Sequence, residues 1–317
     1  MKEELELREK ARDLLEKGDV ICVIGYGAGS TPFKTTPVFI EKAEDVDKLV
    51  WNPACVNNLA VYLRDACSKG RTAVVVKPCD AKSVVELIRE KQIKREDVVV
   101  IAVRCPDMLN EDALKGFDTT DIKSVEWRDN KIVVKTSDGE TEIPAQDALL
   151  NKCLTCDLTK SPIVDIQIGE PFERQPVKSE YADLEEIEKL TPEERRAYWA
   201  RQFARCIRCY ACRAVCPGCY CKECFVEKPC QLWVMKATDT ESNWFFHVTR
   251  AMHTAGRCIA CGECERACPM GLPLMKLNAK LRKEVAEMFR EEPGRDPEAL
   301  PTLGKFDMKN DPDPCGE

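Results

Sequence analysis

The chain has 317 residues, 44% of them hydrophobic, which is enough for two domains of ordinary size with cores of their own. Its 48 Lys and Arg against 55 Asp and Glu leave a net charge of −7 with no basic stripe, and this argues against nucleic acid or an anionic membrane as partner. No apolar run approaches the roughly 18 residues of a membrane span, and the charged start MKEELELREKARDLLEKGDV lacks the apolar region of an export signal, so a cytoplasmic protein is expected.

In chain order, residues 2–17 read as a helix and VICVIGY (20–26) as a buried strand. A helical pattern covers 55–66, and TAVVVKP (72–78) is an apolar β-branched run. AKSVVELIREKQ (81–92) is amphipathic at helical spacing, and DVVVIAVR (97–104) is a further strand. Two successive βα steps predict a small parallel sheet. SVEWRDNKIVV then reads as a hairpin turning at Asp129-Asn130. The stretch 179–205 is dense in charge and reads as a helical linker, with a capping box from Thr191 to Glu194 and Pro192 at the first turn. MKLNAKLRKEVAEMFRE (275–291) is an amphipathic helix, and 292–317, rich in Pro, Asp and Gly, is expected to be disordered. The expected organisation is α+β: an α/β domain with a small parallel sheet over 1–178, the linker, a mainly helical module over 206–291, and a tail.

The cysteines decide the class. Twenty of them in a chain without an export signal point to metal rather than disulfides. Twelve lie between Cys206 and Cys268. Cys206-Ile-Arg-Cys209-Tyr-Ala-Cys212-Arg-Ala-Val-Cys216-Pro217 is one complete C-x2-C-x2-C-x3-C-P run. Cys258-Ile-Ala-Cys261-Gly-Glu-Cys264-Glu-Arg-Ala-Cys268-Pro269 is a second. This is the ligand spacing of bacterial two-cluster ferredoxins, in which the fourth cysteine of each run serves the other cluster. One [4Fe–4S] set is therefore expected from Cys206, Cys209, Cys212 and Cys268, and the other from Cys258, Cys261, Cys264 and Cys216. Structural zinc uses separated C-x2-4-C pairs and does not match two full runs.

The 41 residues between Cys216 and Cys258 exceed what a minimal ferredoxin needs and include the apolar helical stretch WFFHVTRAMHTAG. Within it His247 and His253 do not share a helical face, and packing or capping is expected of both rather than ligation. Cys219, Cys221, Cys224 and Cys230 follow a spacing that leaves two readings open: a further metal centre, or thiols tucked against the clusters.

In the first domain, Cys79 of Pro78-Cys79-Asp80 and Cys105 both fall at the carboxyl ends of strands, where parallel sheets bind ligands. Cys153-Leu-Thr-Cys156-Asp157 returning to that edge would complete a thiolate site with them. Gly25-Tyr-Gly27-Ala-Gly29 is expected as a glycine-rich turn after the first strand, a candidate phosphate cradle although no helix follows it. Cys22 and Cys67 are read as buried apolar residues.

The strand-end Pro78-Cys79-Asp80, the strand ending at Cys105, the Cys153–Asp157 motif and the segment VDIQIGE (164–170) together resemble the beta-subunit family of coenzyme F-420 hydrogenases and dehydrogenases over roughly residues 20–170. The resemblance implies an iron–sulfur flavoprotein domain with FAD, which exchanges hydride with the deazaflavin, and one [4Fe–4S] cluster. It implies Cys105, Cys153 and Cys156 as cluster ligands, with Cys55 first and Cys79 second for the fourth position. Asp80 and Val164 stand where the family usually has glutamine and alanine. Fused to the ferredoxin module, the chain looks like an electron-transfer subunit of an anaerobic oxidoreductase complex. Such a subunit passes electrons between a hydride carrier (deazaflavin or NAD(P)H) or ferredoxin and a hydrogenase, formate dehydrogenase or heterodisulfide-reductase-like partner. The rival expectation is a ferredoxin-like electron-transfer or scaffold subunit with no flavin and no substrate.

Overall fold

The computed structural model describes residues 2–128, 131–158, 160–171, 176–227 and 237–304. The chain divides into two compact units, Met1–Ser179 and Glu180–Glu317. The named strands lie in the first unit and helices in both, an α+β chain, and among the described residues no helix is long and apolar enough to cross a membrane.

The first unit is built on a five-stranded sheet. After helix α1 (Lys2–Glu16) come β1 (Cys22–Ala28) and β2 (Thr35–Ile40), paired antiparallel from Val23↔Ile40 to Ala28↔Thr35. A short helix α2 (Leu63–Cys67) precedes β3 (Thr72–Val76), which runs parallel to β1. Helix α3 (Pro78–Arg89) crosses to β4 (Val98–Val103), parallel to β3. Every residue of β3 and β4 is buried, which explains why both read as continuous apolar β-branched runs rather than alternating ones. The helix read at 55–66 is shorter than expected: Asn58 caps at 3.2 Å on the Ala60 amide, one 3-10 turn follows at Leu59–Tyr62, and Cys55 lies in the turn before it.

A separate three-stranded meander follows, β5 (Ser124–Arg128), β6 (Lys131–Lys135) and β7 (Glu140–Pro144). Its first hairpin is the expected one, although Asp129 and Asn130 lie outside the described residues. The short helices α4 (Ala145–Ala148) and α5 (Asn151–Leu154) lead to β8 (Ile166–Ile168), which closes the main sheet parallel to β4.

The second unit is helical: α6 (Glu185–Glu188), α7 (Pro192–Phe203), α8 (Ala211–Ala214), α9 (Thr240–His253), α10 (Glu263–Arg266) and α11 (Leu274–Phe289). The Thr191 box starts α7, with Glu194 N–H donating to Thr191 Oγ1 at 3.2 Å and Thr191 N–H to Glu194 Oε2 at 2.9 Å. The charged stretch expected as a linker packs within this unit. It buries Ile187, Trp199 and Phe203 together, with Trp244 and Leu277 against them. Two aromatic residues one turn apart, Trp199 and Phe203, outweigh the charge of their neighbours. In the expected tail, Pro293, Gly294 and Thr302 are buried, and 305–317 lie outside the described residues.

Candidate iron–sulfur centres

Each C-x2-C-x2-C loop folds the same way. Arg208 and Tyr210 in the first loop, and Ala260 and Gly262 in the second, hold φ of 57°, 60°, 58° and 75°. Two left-handed residues per loop curl the backbone so that three thiols face inward, and the third cysteine then begins a short helix, α8 or α10. Three of these four residues are not glycine, so strain is tolerated at this spot twice in one chain.

The fourth cysteine of each run goes to the other loop. Cys206, Cys209, Cys212 and Cys268 line a single cavity, roofed by Phe246, His247 and Leu272. Cys206 and Cys212 both lie within electrostatic range of Cys209 and Cys268. Cys264 has Cys216, Cys261 and Cys258 as its thiol neighbours, and Cys258 has Cys216. The structure thus brings together the two crossed sets expected from the spacing.

The chemistry of the sets suits cubanes. Burial pushes the Cys212 thiol up to about 11 and raises that of Cys264, while hydrogen-bond contact with Cys219, followed by burial, raises that of Cys216. A buried thiolate here needs compensating charge, and buried guanidinium groups supply it. Arg250, 5% exposed, acts on Cys212, Cys216 and Cys264, and donates to the Cys212 carbonyl at 2.9 Å. Arg208 lies beside Cys206, and Arg282 beside Cys258. Amide and side-chain donors reach the sulfurs as well: the Arg208 amide to Cys206 at 3.4 Å, the Leu272 amide to Cys268 at 3.5 Å, and Asn278 Nδ2 to Cys264 at 3.5 Å. Among the described residues no three His, Cys, Asp or Glu side chains close around a single ion. A cubane is larger than an ion, and its thiolates stand correspondingly farther apart.

Of the four cysteines after the first run, Cys219 is in hydrogen-bond contact with Cys216, and Arg213 bonds to Cys224. Cys221 is exposed and Cys230 lies outside the described residues. His253 packs edge-on against Phe225, ring centroids 5.3 Å apart, in keeping with a packing role.

In the first unit, Pro78 opens α3 directly after β3, so Cys79 and Asp80 sit in the first helical turn at the carboxyl edge of the sheet. Cys105 follows β4 at the same edge, and Cys153 lies on α5. Cys79, Cys153 and Cys156 lie within electrostatic range of one another. Burial pushes Cys79 and Cys153 up to about 12, while Lys152 acts in the opposite direction on both. Cys105 faces the Lys77 ammonium, as Cys79 does.

Cys55 is placed differently. It is fully buried, its Sγ accepts from the Asn52 amide at 3.4 Å and lies 3.7 Å from the Val50 carbonyl, and burial pushes its thiol up to about 12. The groups that act on it are Asn52, Lys77, Thr35 and Glu4. The resemblance puts Cys55 before Cys79 for the fourth position; in the structure Cys79 is the one within electrostatic range of the C-x2-C pair, and the Cys55 thiol bonds within its own turn.

The glycines also differ from expectation. Gly25 and Gly27 are inside β1 and not in a turn after it, because β2 pairs with that strand as far as Ala28. A Cβ on Gly25 would strike Leu49, and one on Gly27 would strike Val38. Gly29 alone follows the strand, closing the hairpin with its N–H on the Lys34 carbonyl at 3.0 Å. The space a phosphate would need at Gly25 and Gly27 is filled by side chains of the same unit.

Two crossed thiolate sets, compensated by buried arginines, define an iron–sulfur electron-transfer protein of the dicluster ferredoxin kind. Residues 205–273 match the 4Fe-4S dicluster domain, and residues 69–217 match the C terminus of the coenzyme F420 hydrogenase/dehydrogenase beta subunit. The two matched regions overlap at residues 205–217 and together run from 69 to 273. It is 25% identical to the F420-dependent formate dehydrogenase subunit beta of Methanocaldococcus jannaschii, over 92% of this chain and 91% of that one. It is likewise 25% identical to the F420-dependent formate dehydrogenase 1 subunit beta of Methanococcus maripaludis, over 92% and 90%. Among solved structures, a chain of the F420-reducing [NiFe] hydrogenase complex from Methanosarcina barkeri matches 48% of this chain and 58% of its own length, at 18% identity and a TM-score of 0.39.

Proposed function

We propose that the protein is the iron–sulfur electron-transfer subunit of an oxidoreductase complex of the F420-dependent formate dehydrogenase or hydrogenase kind. Its electrons come from, or go to, a hydride carrier (deazaflavin or NAD(P)H) or ferredoxin. The observation that carries this reading is the crossed gathering of Cys206, Cys209, Cys212 and Cys268, and of Cys216, Cys258, Cys261 and Cys264, in a chain similar along nearly its whole length to formate dehydrogenase beta subunits. When bound, cubanes supply one-electron redox steps. The chain's own contribution is to hold the thiolates, to offset their charge with Arg208, Arg250 and Arg282, and to exclude water around the sulfurs, which together set potential.

A third [4Fe–4S] cluster belongs to this proposal, held by Cys79, Cys105, Cys153 and Cys156 at the sheet edge. Cys79 in place of Cys55 is supported by the neighbours each thiol has. FAD is supported by the relatives' names alone, through the deazaflavin they use, because Gly25 and Gly27 do not form a cradle. That same observation favours the second reading, an electron-transfer subunit without flavin.

Anaerobic purification with iron, sulfide and flavin analysis separates the readings. About twelve irons per chain, at four per cubane, with a flavin absorption band is the expected result. About eight irons would remove the third cluster, and full iron without flavin would establish the second reading.

A further inference from the structure

The insert helix α9 turns one buried polar face toward the first cysteine loop. Asn243, His247 and Arg250, spaced four and three residues apart, are 0%, 2% and 5% exposed. Asn243 Nδ2 donates to the Cys206 carbonyl at 2.9 Å, Arg250 Nη2 donates to the Cys212 carbonyl at 2.9 Å, and His247 Nε2 lies 3.2 Å from Cys206 Sγ. The imidazole is clamped between rings: it stacks on Phe203 at 4.8 Å and 11°, and meets Phe246 edge-on at 4.9 Å. Its Nδ1 is buried with no hydrogen-bond partner among the described residues. A neutral imidazole carries one N–H, and a buried N–H settles where an acceptor stands. Here the acceptor is the Cys206 sulfur, so the proton belongs on Nε2.

Resting on the dicluster reading above, we propose that His247 is a positioning residue. By donating Nε2–H to the Cys206 thiolate, it raises the reduction potential of the cluster held by Cys206, Cys209, Cys212 and Cys268 relative to its neighbour. A hydrogen bond to a ligand sulfur draws electron density from it, which favours the more negative, reduced cluster. The second set has a different donor in the equivalent role, the Asn278 amide on Cys264. The two clusters are therefore tuned separately, one from α9 and one from α11. This gives the long insert between the cysteine runs a function in electron transfer.

The test is an EPR-monitored redox titration of the anaerobically loaded full chain. Iron content is read first: a parent holding fewer than about eight irons overturns the dicluster reading itself. With clusters in place, His247→Phe keeps the ring stack, removes the N–H, and moves the midpoint of the Cys206 cluster to more negative values while the other cluster stays fixed. His247→Gln, which retains an N–H donor, recovers part of the shift. Asn278→Leu moves only the other midpoint. Unchanged midpoints in His247→Phe, or equal shifts of both clusters, overturn the inference. If His247→Phe loads poorly, pulsed EPR of the reduced parent decides: an imidazole nitrogen coupling on one cluster is expected, and its absence overturns the assignment.

Discussion

Lys77 Nζ stands 2.6 Å from Asp80 Oδ2, and solvent reaches neither side chain. The pair straddles Cys79 in the first turn of α3, and the ammonium also donates to the Tyr26 hydroxyl at 2.7 Å and to the Cys55 and Asn57 carbonyls at 2.8 and 2.9 Å. One lysine therefore ties β1, the turn of Cys55 and the start of α3 together beneath the proposed ligand Cys79. Such a network fixes the position of Cys79, and Asp80 occupies it with a charge of its own.

Removing one partner leaves the other charge buried without compensation. Lys77→Met is expected to destabilise the first unit by about 3–5 kcal/mol in urea titration, whereas the double variant Lys77→Met, Asp80→Asn recovers most of the loss. The pH dependence follows in sign. Asp80 holds the folded Lys77 above its ordinary value of 10.5, against the opposing effect of burial. The folded state thus binds a proton that the unfolded chain releases. The contribution is complete below pH 10.5 and declines as pH rises beyond it. A parent whose stability stayed level there while that of Lys77→Met fell would contradict the pairing.

The fourth ligand at the sheet edge is decided by comparing two serine variants. Cys79→Ser is expected to lower iron from about twelve to about eight per chain, while Cys55→Ser keeps the full complement. The reverse pattern would return the ligand role to Cys55. Its surroundings argue for a packing role instead, since its thiol is occupied within the turn of residues 50–55.

Gly29 tests what the glycines of the first hairpin are for. A Cβ there would stand 2.6 Å from the Lys34 carbonyl oxygen, and backbone cannot yield as a side-chain tip can. Gly29→Ala is expected to cost about 1–3 kcal/mol of stability in denaturant unfolding, the range for overpacking, with any flavin content unchanged. Selective loss of flavin at unaltered stability would show a cofactor role instead.

These tests fall where the sequence was hardest to read. The buried strands β3 and β4 and the two cysteine runs were legible, because continuous β-branched segments and fixed thiolate spacing each have one geometric solution. Gly25 and Gly27 misled because glycine marks close approach as well as turns, and here the approaching groups are Leu49 and Val38 of the same unit. Cys55 and Cys79 could not be ranked by spacing, since their neighbours are brought together only by tertiary folding. The charged stretch 179–205 hid its two buried aromatic residues among glutamates and arginines. The spacing of His247 to His253 argues against ligation by the two. The overlooked signal was polar residues at 243, 247 and 250, on one face of an otherwise apolar helix.

The crossed connection of the dicluster module has its cleanest test at Cys268. Cys216 has Cys219 in hydrogen-bond contact, a second thiol able to take its place, whereas Cys268 is followed by Pro269 and Met270. Cys268→Ala removes the fourth thiolate from the cavity of Cys206, Cys209 and Cys212, although it belongs to the run that begins at Cys258. The expected outcome is loss or conversion to a three-iron form of the Cys206 cluster, seen by EPR. The Cys258 cluster should keep its signal and midpoint. Damage confined to the Cys258 cluster would mean that each run closes on itself, and would contradict the cavity in which Cys268 stands.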